Sequence, residues 1–174
     1  MGGAVHADML MWSRTAPVEA VARQLIGALH SVPQISVRLD QVPPAHLAAV
    51  RFWLGRWRLH RELLLDGTVE PGRPDELYPV VVAARDGECL VSVHGDRVVE
   101  LDFAAYRRIH LVNGSDRDRL VVDVTGGGGR VTARVHGPDG RMMADPPAHL
   151  PDGPRPLAVP RGGLVSLVLT EGPR

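Results

Sequence analysis

The chain has 174 residues, 44% of them hydrophobic and 23% charged, with twenty basic side chains balanced by twenty acidic ones. That balance excludes a disordered chain and removes the basic face that nucleic-acid binding requires. No apolar run approaches the ~20 residues needed to span a bilayer, so no membrane partner is expected.

Taken in order, Ala4 to Trp12 predicts a short strand and its exit loop. Val18, Val21, Ala22, Leu25, Ile26 and Leu29 then recur at helical spacing behind Thr15 and Pro17, a proline start that forfeits no helical hydrogen bond. Val32 to Leu39 is β-branched and predicts a second strand. Pro43-Pro44 opens a second helix, with Leu47, Val50, Leu54 and Trp57 expected on one face, and Asp66-Gly67 predicts a left-handed C-cap. Strand–helix–strand–helix implies parallel strands with helices outside them.

The pattern changes near residue 67, and a joint between domains is expected between Gly67 and Leu77, where Pro71, Gly72 and Pro74 cluster. Beyond it, strands are predicted at Tyr78–Ala84, Cys89–His94, Arg97–Leu101, Arg108–Val112, Leu120–Val124, Arg130–Val135 and Leu164–Leu169. Short runs punctuated by glycine, asparagine and aspartate predict an antiparallel β-sandwich. The proline-rich stretch Asp145 to Pro160 predicts a long loop.

The fold class is therefore α+β in two parts, 1–67 and 77–172. Two β/α units cannot close a barrel, which takes eight, so either the half-sheet packs on the sandwich or on another chain, or the rest of a larger barrel is missing; the second is the expectation. A lone cysteine, Cys89, predicts a buried small hydrophobe in a reducing compartment. The first residues lack the basic start and apolar stretch of a secretory leader, and a cytoplasmic location is expected.

The runs Ala4-Val-His-Ala-Asp-Met-Leu-Met-Trp12, Ser31-Val-Pro-Gln-Ile-Ser-Val-Arg-Leu-Asp40 and Arg51-Phe-Trp-Leu-Gly-Arg-Trp-Arg-Leu-His-Arg61 resemble the C-terminal part of α-galactosidases (melibiases) of glycoside hydrolase family 36. Leu63-Leu-Leu-Asp-Gly67 and Asp75-Glu-Leu-Tyr-Pro79 match the junction that follows. The resemblance implies that residues 4–66 are strands 7 and 8 of a (β/α)8 TIM barrel with their helices, and 77–170 the closing β-domain. It also implies retaining hydrolysis of terminal α-galactosides by two carboxylates about 5 Å apart. Those aspartates follow barrel strands 4 and 6 in the family, and the resemblance implies that they would fall upstream of Met1. No residue here inherits a catalytic role, and the chain alone is expected to be inactive.

His6, Asp8 and Trp12 are the candidate substrate-binding residues. Barrel sites lie at the C-terminal ends of strands, where a histidine and a carboxylate bind sugar hydroxyls and an indole stacks on a pyranose. The plainer alternative is that His6 and Asp8 hold the loop while Trp12 packs in the core. Trp53 and Trp57, one helical turn apart, predict packing, with Arg51, Arg56, Arg58, Arg61 and Glu62 as the solvated face. Gly126 to Gly129 predicts a hairpin, because a strand-like run follows it where a phosphate loop would need a helix. The eight histidines show no metal-ligand spacing in sequence, and no cofactor or metal is expected.

The expected partners are α-galactoside sugars once the rest of the barrel is supplied, and either a missing N-terminal half or a second copy of the chain. The competing expectation is a non-catalytic carbohydrate- or partner-binding sandwich, weakened by the few aromatics beyond residue 67: Tyr78, Phe103 and Tyr106. An independent small enzyme using His6 and Asp8 lacks a nucleophile or second carboxylate beside them.

Overall fold

The computed structural model describes residues 5–144 and 147–171. It opens with β1 (His6–Leu10), α1 (Val18–Gly27) and β2 (Val32–Ile35), followed by α2 (Pro44–Leu59) and the short α3 (Arg61–Asp66). β1 and β2 pair in parallel and form a two-stranded sheet, as the alternation of strand and helix requires. α1 buries Val21, Ala22, Leu25 and Ile26, the expected stripe.

Pro44 sits at the start of α2, but that helix is turned from the expected face. It buries His46, Ala49, Val50 and Trp53, while Leu47, Leu54 and Trp57 are only half-buried. His46 can face inward because its Nε2–H donates to the carbonyl of Ala16 at 2.8 Å. Gly67 is not a left-handed cap either, since its φ is −76°. A Cβ there would lie 2.4 Å from the Leu63 carbonyl oxygen and 2.8 Å from that of Ala84, so glycine is required for close backbone approach.

The remaining chain forms two facing sheets. Its strands are β3 (Thr68–Glu70), β4 (Val80–Arg85), β5 (Glu88–Val93), β6 (Val98–Asp102), β7 (Arg108–Asn113), β8 (Arg119–Thr125), β9 (Arg130–His136), β10 (Met142–Ala144), β11 (Pro147–His149), β12 (Gly153–Ala158) and β13 (Leu164–Glu171). The larger sheet runs β10-β9-β13-β7-β5-β4-β3, with β11 also paired to β9; the smaller runs β12-β8-β6. All seven expected strands occur close to their expected bounds.

Three expectations about connectivity need correction. The sandwich is not wholly antiparallel, because β5 pairs with β7 and β6 with β8 in parallel. The chain alternates between the sheets over β5–β9, so strands adjacent within a sheet are separated by an excursion to the other. For the same reason Gly126 to Gly129 is no hairpin: it carries the chain from β8 in the smaller sheet to β9 in the larger. The proline-rich stretch contains β11 and β12, with only 145 and 146 outside the described residues. Proline is tolerated in β12 because that strand is an edge, paired to β8 alone. Pro154 and Pro156 are two apart, so their missing donors share one side of the strand.

The larger sheet is covered on both faces. Val91, Leu101, Ile109, Leu111, Val122, Val131 and Leu167 pack between the sheets. On the opposite face Ala83, Leu90, Val112 and Leu164 join the core of α1–α3, with Leu25, Ile26, Trp53 and Leu64. Trp53 binds the layers further, its Nε1–H donating to the Pro138 carbonyl at 3.2 Å. The segment expected as a joint holds β3, which extends the larger sheet beside β4. By contrast β1 and β2 contain no buried residue, and Val5, Met9 and Met11 are 65–70% exposed. No described helix is long and apolar enough to cross a membrane.

Candidate functional site at the helix–sheet seam

The residues singled out from sequence do not converge. His6 is exposed on β1 and accepts a hydrogen bond at Nδ1 from the Gln34 side-chain amide at 3.1 Å. Asp8 is exposed on the same strand. Trp12 turns the other way, half-buried against the helical core, and its buried indole N–H has no hydrogen-bond partner. Trp57 also packs on that core and donates from Nε1 to the Ser31 carbonyl at 2.8 Å. Of the expected solvated charges, Arg51, Arg58, Arg61 and Glu62 are exposed. Arg56 is half-buried, with its guanidinium 5.1 Å from the Phe52 ring centre and Nη2 donating to His136 Nε2 at 3.4 Å.

A different group does converge. His60 lies where α2 gives way to α3, Glu88 opens β5 after the β4–β5 turn, and His110 is central in β7. In β7, Ile109 and Leu111 point into the sandwich, so His110, between them, projects toward the helices. The parallel register sets Leu90 beside His110 and Glu88 beside Arg108, while the antiparallel register sets Ser166 of β13 opposite His110. The fold thus assembles His60, Glu88, His110, Arg108 and Ser166 from the α2–α3 junction and three strands, β5, β7 and β13.

Glu88 Oε1 lies 3.1 Å from His60 Nδ1 and 3.0 Å from His110 Nε2, and Arg108 Nε lies 3.2 Å from Oε2. The imidazole centres are 4.4 Å apart at 51°. His60 and His110 are each 7% exposed. Burial is the main force on both: it pushes the pKa of His110 down to about 4, helped by the neighbouring His60 and opposed by Glu88. It lowers that of His60 against the opposing attraction of Glu88. Both rings are therefore neutral near pH 7.

The carboxylate fixes their tautomers by its bonding needs. An ionised Glu88 only accepts, so the hydrogens belong on His60 Nδ1 and His110 Nε2. His110 Nδ1 is then an acceptor for the Ser166 hydroxyl at 2.9 Å. His60 Nε2 is buried without a partner.

The group opens onto two clefts. One, of about 610 Å3, is lined by His110, Ser166, Arg56, Thr132, Arg134 and His136. A smaller one of about 210 Å3 is lined by His60, Glu88 and Arg108. Chemically the arrangement offers a proton relay from Ser166 through His110 to Glu88, or three donors for a metal. As a nucleophile Ser166 is poorly placed, mid-strand between β7 and β9 with no sharp turn to present its hydroxyl.

Sequence reading missed this group because its members are 28 and 22 residues apart and share no helix. A signal was present in Arg108-Ile-His-Leu-Val-Asn113, where a histidine interrupts an apolar strand whose other face is also core. Cys89, beside Glu88, is the buried hydrophobe expected, its thiol pushed up to about 12 chiefly by burial. No protein-family model matches the chain, and no curated protein and no solved structure matches it.

Proposed function

We propose that residues 4–66 complete the barrel of an α-galactosidase-like glycoside hydrolase and that the sandwich is its closing domain. The observation that carries this reading is the bare β1–β2 pair. Parallel strands are ordinarily buried on both faces, between helices and a neighbouring layer. Here α1 connects two parallel strands, yet only Leu10 and Ile35 pack partly against the helical core, no residue of either strand is fully buried, and Met9 is held out to solvent. Such a pair suits neighbours on its flank, and the runs from Ala4 to Arg61 that resemble family 36 cover it.

In this reading His6 and Asp8 form part of the substrate wall at the mouth of the barrel, and Trp12 anchors their loop to the helices. Both catalytic carboxylates come from the other barrel strands, so binding residues here stabilise no oxocarbenium-like transition state by themselves. The same reading places the protein in the cytoplasm.

The test has two arms. The purified 174-residue chain should release no 4-nitrophenol from 4-nitrophenyl α-galactoside. A chimaera in which it replaces the last two barrel units and closing domain of a family 36 enzyme should hydrolyse that substrate. In the chimaera, Asp8→Ala should raise KM or lower kcat at least about tenfold, the effect of one lost sugar contact worth ~1.4 kcal/mol. Activity of the chain alone, or a folded chimaera indifferent to His6→Ala and Asp8→Ala, would refute the assignment.

A further inference from the structure

Two imidazoles and a carboxylate meet where the helices lie on the larger sheet. His60, Glu88 and His110 each offer one ligand atom, and the three lie within 4.8 Å of one another. The nitrogen–oxygen separations are 3.1 and 3.0 Å. A tetrahedral zinc ion holding nitrogen and oxygen at about 2.0–2.2 Å spaces adjacent ligands about 3.3 Å apart. Along those two edges the cluster needs a few tenths of an ångström of expansion, while the nitrogen–nitrogen edge, within 4.8 Å, must close as the rings turn toward the ion. We propose that His60, Glu88 and His110 bind a divalent transition metal of zinc type, pinning the α2–α3 junction to β5 and β7.

Two features support this site over a hydrogen-bonded cluster with no ligand. Outer partners orient the donors: Arg108 holds Glu88 Oε2 and leaves Oε1 toward the rings, while Ser166 meets the far nitrogen of His110. On metal binding that last hydrogen bond reverses, His110 Nδ1–H donating to Ser166 Oγ. Finally, the donors are reached from solvent through the two clefts, which supply an entry path and a further coordination position. Arg56 beside the larger cleft favours an anionic ligand there, which lowers the net charge of the assembly. Two nitrogens and one oxygen suit zinc, cobalt or nickel and not magnesium or calcium, which take oxygen.

The site shares no residue with the proposed substrate wall and is independent of the carbohydrate reading; either stands or falls alone. Full-length chain stripped with EDTA and dialysed would be titrated with zinc chloride and cobalt chloride by calorimetry. One zinc per chain is expected, with a Kd below about 10 µM and a rise in Tm; magnesium chloride should do neither. Cobalt should show the visible absorption of a four- or five-coordinate site. His60→Ala and His110→Ala should each abolish binding, and Ser166→Ala should weaken it about tenfold. Surface His6→Ala should leave it unchanged. Should the histidine variants lose their circular dichroism, Glu88→Gln, which keeps the shape of the side chain, provides the same test. A Kd above about 10 µM, or zinc binding that survives both Glu88→Gln and His60→Ala, would overturn the proposal.

Discussion

β7 and β1 are both short strands with a β-rich neighbour, yet they have opposite fates. In β7 every residue from Ile109 to Asn113 is buried, because one face meets the smaller sheet and the other meets the helices. In β1 no residue is buried and Met9 is 66% exposed. The difference does not lie in the strands' own chemistry, since His-Ala-Asp-Met-Leu and Arg-Ile-His-Leu-Val-Asn are comparably mixed. It lies in what covers them. A strand's stability is a property of its two faces, and β1 has one partner strand where β7 has two neighbours and two covered faces.

The sharpest way to break that comparison is to truncate one residue in each strand. Leu111→Ala removes a side chain with no exposure and should cost about 2–5 kcal/mol in urea unfolding. Met9→Ala should change stability by no more than about 0.5 kcal/mol. Equal costs would mean that β1 is covered in solution after all.

Acid provides a second, intermediate probe, because it acts on a residue joining the two regions. His30 follows α1 and its Nε2 is hydrogen-bonded to Ser92 Oγ of β5 at 3.0 Å. Burial, with help from His94, pushes its pKa down to about 4. The unfolded chain, with a histidine near 6.5, binds the proton more readily, so stability rises with pH over this range. The His30 contribution is fully present above pH 6.5 and lost progressively down to about pH 4, up to about 3 kcal/mol. Urea midpoints measured from pH 7 to 4 should fall less steeply in His30→Gln. If the two slopes coincide, His30 is not what makes the helical layer acid-sensitive.

The smallest expected effect sharpens the picture of the flank. Met9→Lys should leave Tm almost unchanged while lowering any self-association seen by sedimentation, since a charge on an open strand opposes edge pairing. Unchanged association would move the sticky surface elsewhere.

The contrast also explains what could be read in advance. Strand runs such as Leu120–Val124 and the α1 stripe were legible because periodicity records which face is covered. β12 was not, because proline is permitted or forbidden by edge position, a property of the assembled sheet. The paths at Gly126 to Gly129 and at Gly67 are not legible for a related reason: sequence marks where the chain turns, while the destination depends on partners distant along it. His60, Glu88 and His110 illustrate the limit most clearly. Their proximity follows from the β5–β7 register and from how α2 is rotated, and His46 and Trp53 on that helix's inner face reveal the rotation only afterwards.

Because β7 feeds alternate side chains to two separate interiors, its alignment is locked from both sides. A slip of one residue would drive the imidazole of His110 into the oily space now filled by Ile109 and Leu111, and would turn those two toward Glu88. Neither compartment tolerates the exchange, so each acts as a proofreader for the other during folding.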